Sequence, residues 1–197
     1  METRQVQDEF LIVKEKAQRN LMWLGTLSIV MIFAGLTSAY VVRRGAGDWF
    51  TILLPPIFWV STAVIIFSSI TLNLSLYSYR QNKNKRGMLF LGLTLILGFL
   101  FAWCQFNGWA ELSANGIYFV QSKGQTSLIS GSFIYLLSGL HLAHVAGGIL
   151  TLFFTFIRSL LGAYSSTNVH GLRILSIYWH FLDVLWIYLF VFLTIYK

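Results

Sequence analysis

Five stretches of this 197-residue chain stay apolar for the 20 or so residues needed to cross the hydrocarbon core of a bilayer. They run over roughly Leu21–Val42, Leu53–Tyr77, Met88–Asn107, Leu128–Ile157 and Ile174–Tyr196. Composition leaves no soluble alternative. Hydrophobic residues make up 56% of the chain, charged residues 11%, and the mean hydropathy is +0.69. A soluble domain carries about a quarter charged residues, so this chain cannot cover its surface with polar groups and its solvent must be lipid. The expected fold is all-α, a bundle of five transmembrane helices. The fourth stretch is longer than a bilayer requires and is expected to tilt or to run into the interface. Pro55-Pro56 sits at the entrance of the second, where a missing amide donor costs least. The connections are short and polar, without linker, low-complexity run or internal repeat, so residues 1–197 read as one membrane domain.

The segment Met1 to Asn20 mixes Lys and Arg with Glu and Asp and offers no cleavage-type pattern, so the first span is expected to be retained. Cys104 is the single cysteine, which rules out a disulfide framework. Basic residues set the orientation. Arg4, Lys14, Lys16, Arg19, Arg80, Lys83, Lys85, Arg86, Arg158 and Arg173 fall on the N-terminal side; Arg43, Arg44, Lys123 and Lys197 fall opposite. The positive-inside rule then puts the N-terminus in the cytoplasm and the C-terminus outside, periplasmic in a bacterium. The formal net charge of +7 is accounted for by a basic rim facing anionic lipid, with no nucleic-acid partner.

Two stretches carry ionisable side chains deep in apolar sequence: Ser138-Gly-Leu-His-Leu-Ala-His-Val-Ala-Gly-Gly148 and Tyr178-Trp-His-Phe-Leu-Asp-Val-Leu-Trp186. An ionisable group at that depth costs about 3 kcal/mol on insertion scales, so it calls for a partner or a task. His141 with His144, and His180 with Asp183, are each spaced i, i+3 and so share a helix face. At a rise of about 1.5 Å per residue, His144 lies roughly 20 Å in from Arg158 and Asp183 roughly 15 Å in from Arg173. Spans four and five are antiparallel, so the four groups sit at similar levels and are expected to meet. Gly139, Ala143 and Gly147 recur every four residues on the opposite side of span four, a small-residue ridge suited to close helix packing.

Three roles compete for this cluster. A metal or haem site suits the imidazole spacing, but no Cys, Glu or further His completes a shell. A proton relay needs groups reaching both surfaces, and spans one to three hold no Asp, Glu, Lys or His. The third role is a structural hydrogen-bond network, flanked by Trp179 and Trp186 and open to extension by a lipid headgroup; it is the reading preferred here. The sequence has no Gly-rich phosphate loop, Cys-x-x-Cys, nucleophile elbow or paired carboxylates, so no catalytic, metal or cofactor-binding residue is assigned. Aromatic residues near span ends, among them Trp49, Trp59, Trp109 and Trp179, suit an interfacial belt.

Those two stretches resemble subunit three of the haem–copper terminal oxidases. The resemblance continues through Met31-Ile-Phe-Ala-Gly-Leu-Thr-Ser-Ala-Tyr40 with Arg43, Pro55-Pro56 to Leu72, and Leu93-Thr-Leu-Ile-Leu-Gly98 to Gln105. It implies a five-helix bundle lacking the first two helices of the seven-helix form, in a bacterial plasma membrane. It further implies an accessory subunit of a cytochrome c oxidase in aerobic respiration, with haem and copper on partner subunits and none on this chain. The implied partners are the catalytic subunit one, subunit two and structural phospholipid, and the implied role is to stabilise the catalytic subunit and sustain proton uptake. Ile29 and Arg173 stand where family members carry Glu, and a family histidine is displaced to His170, so a proton-antenna role does not carry over. The rival readings are subunit three of a quinol oxidase, a membrane protein associated with nitric oxide reductase, and a small His/Asp-dependent transporter. The lack of an inverted repeat counts against the transporter.

Overall fold

Helix formation runs past the apolar stretches at most of their ends, because the flanking polar residues are themselves good helix formers. The computed structural model describes residues 2–45, 49, 51–119, 129–166 and 168–196, with the backbone alone given at 2–8, 11 and 12. Lys123, Leu128 and Lys197, and the side chain of Arg4, therefore lie outside the described residues. Among those described there are five helices: α1 (Glu2–Arg44), α2 (Ile57–Arg80), α3 (Asn84–Ala114), α4 (Ile129–Leu160) and α5 (His170–Ile195). Each is long and apolar enough to span a membrane. α1 shows the largest departure from its apolar stretch: Glu2–Asn20 holds neither Gly nor Pro, so nothing stops the helix at the membrane boundary. α2 starts later than its apolar run. Leu54 and Pro55 each precede a proline, which disfavours helical backbone, and Pro56 takes the N-cap position.

Three helices end in the same way. After α2, α3 and α4 the chain turns through a left-handed residue, Asn82 (φ 59°), Gly116 (φ 80°) and Gly162 (φ 73°). In each case two backbone bonds reach back: Lys83 to Ser78, Ile117 to Leu112 and Ala163 to Arg158, with the inner bond beside it. This closure satisfies carbonyls the helix leaves orphaned, and it suits Gly or Asn, which tolerate positive φ.

Helices α2 to α5 pack as a ring of four, with α2 against α3 and α5, and α4 against α3 and α5; α1 lies outside it, against α5 and α4. α5 packs against α1, α2 and α4, and its Trp179 and Trp186 rings reach across to α3 as well. Lipid supplies no hydrophobic force between helices, so close packing and interhelical hydrogen bonds must hold them. α2 provides for both with Ser61, Ser68 and Ser75, seven residues apart and all fully buried. Ser61 accepts from Gln105 Nε2 on α3 (3.2 Å), Ser68 accepts from Trp179 Nε1 on α5 (3.0 Å), and Ser75 donates to the Gly87 carbonyl (2.7 Å). Thr71 and Thr94 join α2 to α3 at 2.8 Å, and Tyr79 bonds Ser159 across to α4.

The close approaches do not fall on the ridge expected from sequence. Ala143 is exposed, and a Cβ added at Gly139 or Gly147 would meet nothing nearer than 3.9 Å. Large aromatic rings instead fill notches at other glycines. A Cβ at Gly98 would stand 2.9 Å from the Trp179 ring, one at Gly108 2.8 Å from Phe58, and one at Gly148 3.2 Å from Trp179 and Leu182. Spacing of four residues marks a smooth helix face, but only the partner's side chains decide whether a backbone comes near it. Gly98→Val should therefore lower the thermal unfolding midpoint of the purified chain in detergent, since overpacking costs about 1–3 kcal/mol. Gly139→Ala should leave that midpoint unchanged. Equal tolerance of both would contradict this packing.

Candidate functional site

Of the four ionisable groups, His141 and Asp183 are buried in the bundle and His144 and His180 half-buried, and the four do not form one cluster. His141 is fully buried between Phe101 on α3 (ring centroids 6.0 Å) and Trp186 on α5 (5.2 Å). Neither of its ring nitrogens meets a hydrogen-bond partner among the described residues. His144 is half-buried, its Nδ1 is 2.7 Å from the carbonyl of Leu140 one turn earlier, and its ring packs edge-on against Phe33 of α1. The carbonyl of His144 accepts a bond from the Tyr178 hydroxyl at 3.1 Å, which is how α4 and α5 are joined at this level.

His180 and Asp183 turn the other way, toward α2. The Ser69 hydroxyl lies 2.5 Å from His180 Nδ1, and Asn73 Oδ1 lies 3.1 Å from Nε2. With Ser69 donating to Nδ1, Nε2 carries the hydrogen and donates to Asn73. Asp183 is almost fully buried; His180 Nδ1 stands 3.8 Å from its Oδ2, and neither carboxyl oxygen has a donor at hydrogen-bonding geometry. The expected meeting of α4 histidines with the α5 pair is thus corrected. α5 sits between α4 and α2, and His180 bonds the α2 side while Trp186 packs on His141 from the α4 side. No group of three or more His, Cys, Asp or Glu among the described residues is placed to hold a metal ion.

The two tryptophans are the most heavily used members of the constellation. Trp179 is fully buried, donates to Ser68, and fills the notches at Gly98 and Gly148. Trp186 is fully buried, donates from Nε1 to Thr62 Oγ1 at 3.0 Å, and packs on Phe58, Phe101 and His141. Their α2 partners, together with Ser69 and Asn73, were absent from the sequence-derived set. The signal that finds them is the repeat of small hydroxyl residues at Ser61-Thr62, Ser68-Ser69 and Ser75. Below this level, His170 Nε2 is 3.0 Å from Gln18 Oε1 and its Nδ1 3.6 Å from Glu15, so the start of α5 is clasped to the polar part of α1. At the opposite end Tyr40 donates to the Tyr196 carbonyl (3.0 Å) and Tyr188 donates to Thr37 (3.1 Å).

Removing His180 strands the most groups at once. His180→Leu should destabilise the chain by roughly 1–3 kcal/mol, because Ser69 and Asn73 lose their partner. Asp183→Asn keeps the shape and should cost under about 1 kcal/mol, a carboxyl without hydrogen bonds having little to lose. Denaturant titration of the two variants checks the order, and a larger loss for Asp183→Asn would contradict the geometry.

The family described as cytochrome c oxidase subunit III matches the chain over residues 52–197, which takes in α2 to α5 and leaves α1 outside. A relative named probable quinol oxidase subunit 3, from Staphylococcus aureus (strain USA300), is 27% identical over 173 residues, 85% of this chain and 83% of the relative. A relative of the same name from Staphylococcus saprophyticus is 30% identical over 176 residues, with the same coverage.

Proposed function

We propose that this chain, which belongs to the cytochrome c oxidase subunit III family, serves its oxidase as a non-catalytic subunit. It is a multi-pass bacterial membrane protein and one subunit of a multi-subunit haem–copper oxidase, an oxidoreductase complex. In the proposed role it binds no redox centre of its own, packs against the catalytic subunit one and subunit two, retains phospholipid, and sustains proton uptake during turnover. Haem and copper belong to the partner subunits. The N-terminus faces the cytoplasm and the C-terminus the periplasm.

One observation carries this reading. The hydrogen bonds that polar side chains make at membrane depth join one helix to another, as in Trp179–Ser68, Trp186–Thr62 and His180 with Ser69 and Asn73, while buried His141 and Asp183 make none among the described residues. These side chains are not gathered around an opening where a substrate or ion could react. The basic residues Arg80, Lys83, Lys85, Arg86, Arg158 and Arg173 lie where α2 and α4 end and α3 and α5 begin, and Lys14 to Arg19 lie beside His170. That places them on one rim, which supports the cytoplasmic assignment. A second reading concerns the electron donor. The staphylococcal relatives are named for a quinol oxidase, which favours quinol over the cytochrome c expected from the first resemblance.

Membranes lacking this chain test the role. The remaining complex should keep its haem spectrum and nearly normal initial dioxygen reduction, then lose activity during sustained turnover. The chain expressed alone in detergent should show no Soret band. Loss of all activity from the first turnover, or a haem held by the chain alone, would overturn the reading. Supplying reduced cytochrome c or a quinol to the intact complex decides the donor.

A further inference from the structure

One polar group of the α2–α5 network faces out of the bundle. Asn73 is exposed, on the outer stripe of α2 that also carries Ile66, Ile70 and Tyr77. It lies seven residues before Arg80, roughly 10 Å along the helix and within the apolar run. Its Oδ1 is taken by His180 Nε2, yet its amide N–H groups find no acceptor among the described residues. Asn107 makes the contrast. That residue is half-buried, and its amide turns back onto the Trp103 carbonyl one turn earlier at 2.8 Å. Asn73 spends its carbonyl on fixing the His180 ring and cannot fold back in the same way. His180 itself is about a third exposed on this face, with a side-chain accessibility of 29%.

We propose that this face of α2 and α5 is where a transmembrane helix of another subunit of the same oxidase docks, presenting a hydrogen-bond acceptor to the Asn73 amide. The proposal rests on the subunit role argued above and names the surface through which it acts. Hydrocarbon supplies no acceptor, and an unpaired donor at this depth is expensive. A helix supplies one cheaply, from a Ser, Thr or Asn side chain or a carbonyl left accessible at a kink. Lipid fits less well, since its ester and phosphate oxygens sit at the interface, near the basic rim rather than one to two turns below it. A second copy of this chain fits less well too. In a symmetric pair each Asn73 Oδ1, already held by His180 Nε2, would have only its second lone pair to offer the other copy's amide.

The test uses the intact oxidase. A photoreactive benzoylphenylalanine placed at Ile70 should give a covalent adduct with another oxidase subunit, several-fold stronger than the same group at Ile96 on α3 or Phe154 on α4, both exposed on other faces. Asn73→Leu should lower the haem-bearing subunit recovered per tagged chain several-fold, while Asn73→Gln, which keeps the amide, should retain most of it. Adducts at Ile70 with lipid alone, a homodimer adduct there, or stronger adducts at Ile96 or Phe154 would overturn the proposal. So would full recovery with Asn73→Leu. Failure of the unsubstituted chain to bring down any haem-bearing subunit is a different result, and would overturn the subunit role itself.

Discussion

The bundle depends on how α5 is fastened to α2. Trp179 and Trp186 stand seven residues apart, both fully buried, and each donates its indole N–H to an α2 hydroxyl, Ser68 and Thr62, themselves close to one heptad apart. In lipid there is no hydrophobic force to press helices together, so adhesion comes from contact area and from polar groups with nowhere else to bond. A tryptophan supplies both. Its ring covers a large area, and its one donor must be satisfied. The serines and threonines of α2 are small enough to let the ring approach, and the glycines at positions 98 and 148 clear the space behind Trp179 on α3 and α4. One residue therefore ties α5 to three neighbours.

The histidines and the aspartate read naturally within that frame. His180 continues the same seam, with Ser69 next to Ser68 and Asn73 one turn further on. His141 lies on the other side of Trp186, where the indole and Phe101 enclose its ring. Ile29 borders an apolar groove between α1 and α5 with Met22 and Tyr178, and Arg173 stands at the basic rim beside Lys16 and Arg19. The hydrogen bonds of Trp179, Trp186, His180 and Tyr178 each join α5 to a neighbouring helix.

The five spans were legible because twenty apolar residues in lipid have few other options. Their ends were not, because Glu2–Asn20 and Asn84–Gly87 extend helices on local propensity that hydropathy does not register. The burial of His141 and Asp183 within the bundle was also readable, from their place in long apolar runs. Which neighbour each faces was not. Residues three apart on a helix differ by about 60° in direction, enough for a pair to address a different helix from the one assumed. The Gly139–Gly147 ridge meets no close helix within this chain for a related reason: a small residue permits a close approach, and whether one occurs is settled by a ring such as Trp179 elsewhere in sequence. The α2 hydroxyl repeat was visible all along at seven-residue spacing, and its meaning emerges only once two tryptophans with the same spacing lie opposite.

Double-mutant cycles across the α2–α5 seam measure this fastening directly, pairing Trp179→Phe with Ser68→Ala and Trp186→Phe with Thr62→Val. Phenylalanine loses the N–H together with part of the ring, but packing loss that is independent of the hydroxyl cancels in the cycle, so the coupling reports the hydrogen bond. Membrane hydrogen bonds average about 0.6 kcal/mol in such cycles and reach about 1.7 at most; the account predicts coupling within that range for both pairs. Strictly additive effects at both would contradict it, and would mean that packing alone holds α5 in place.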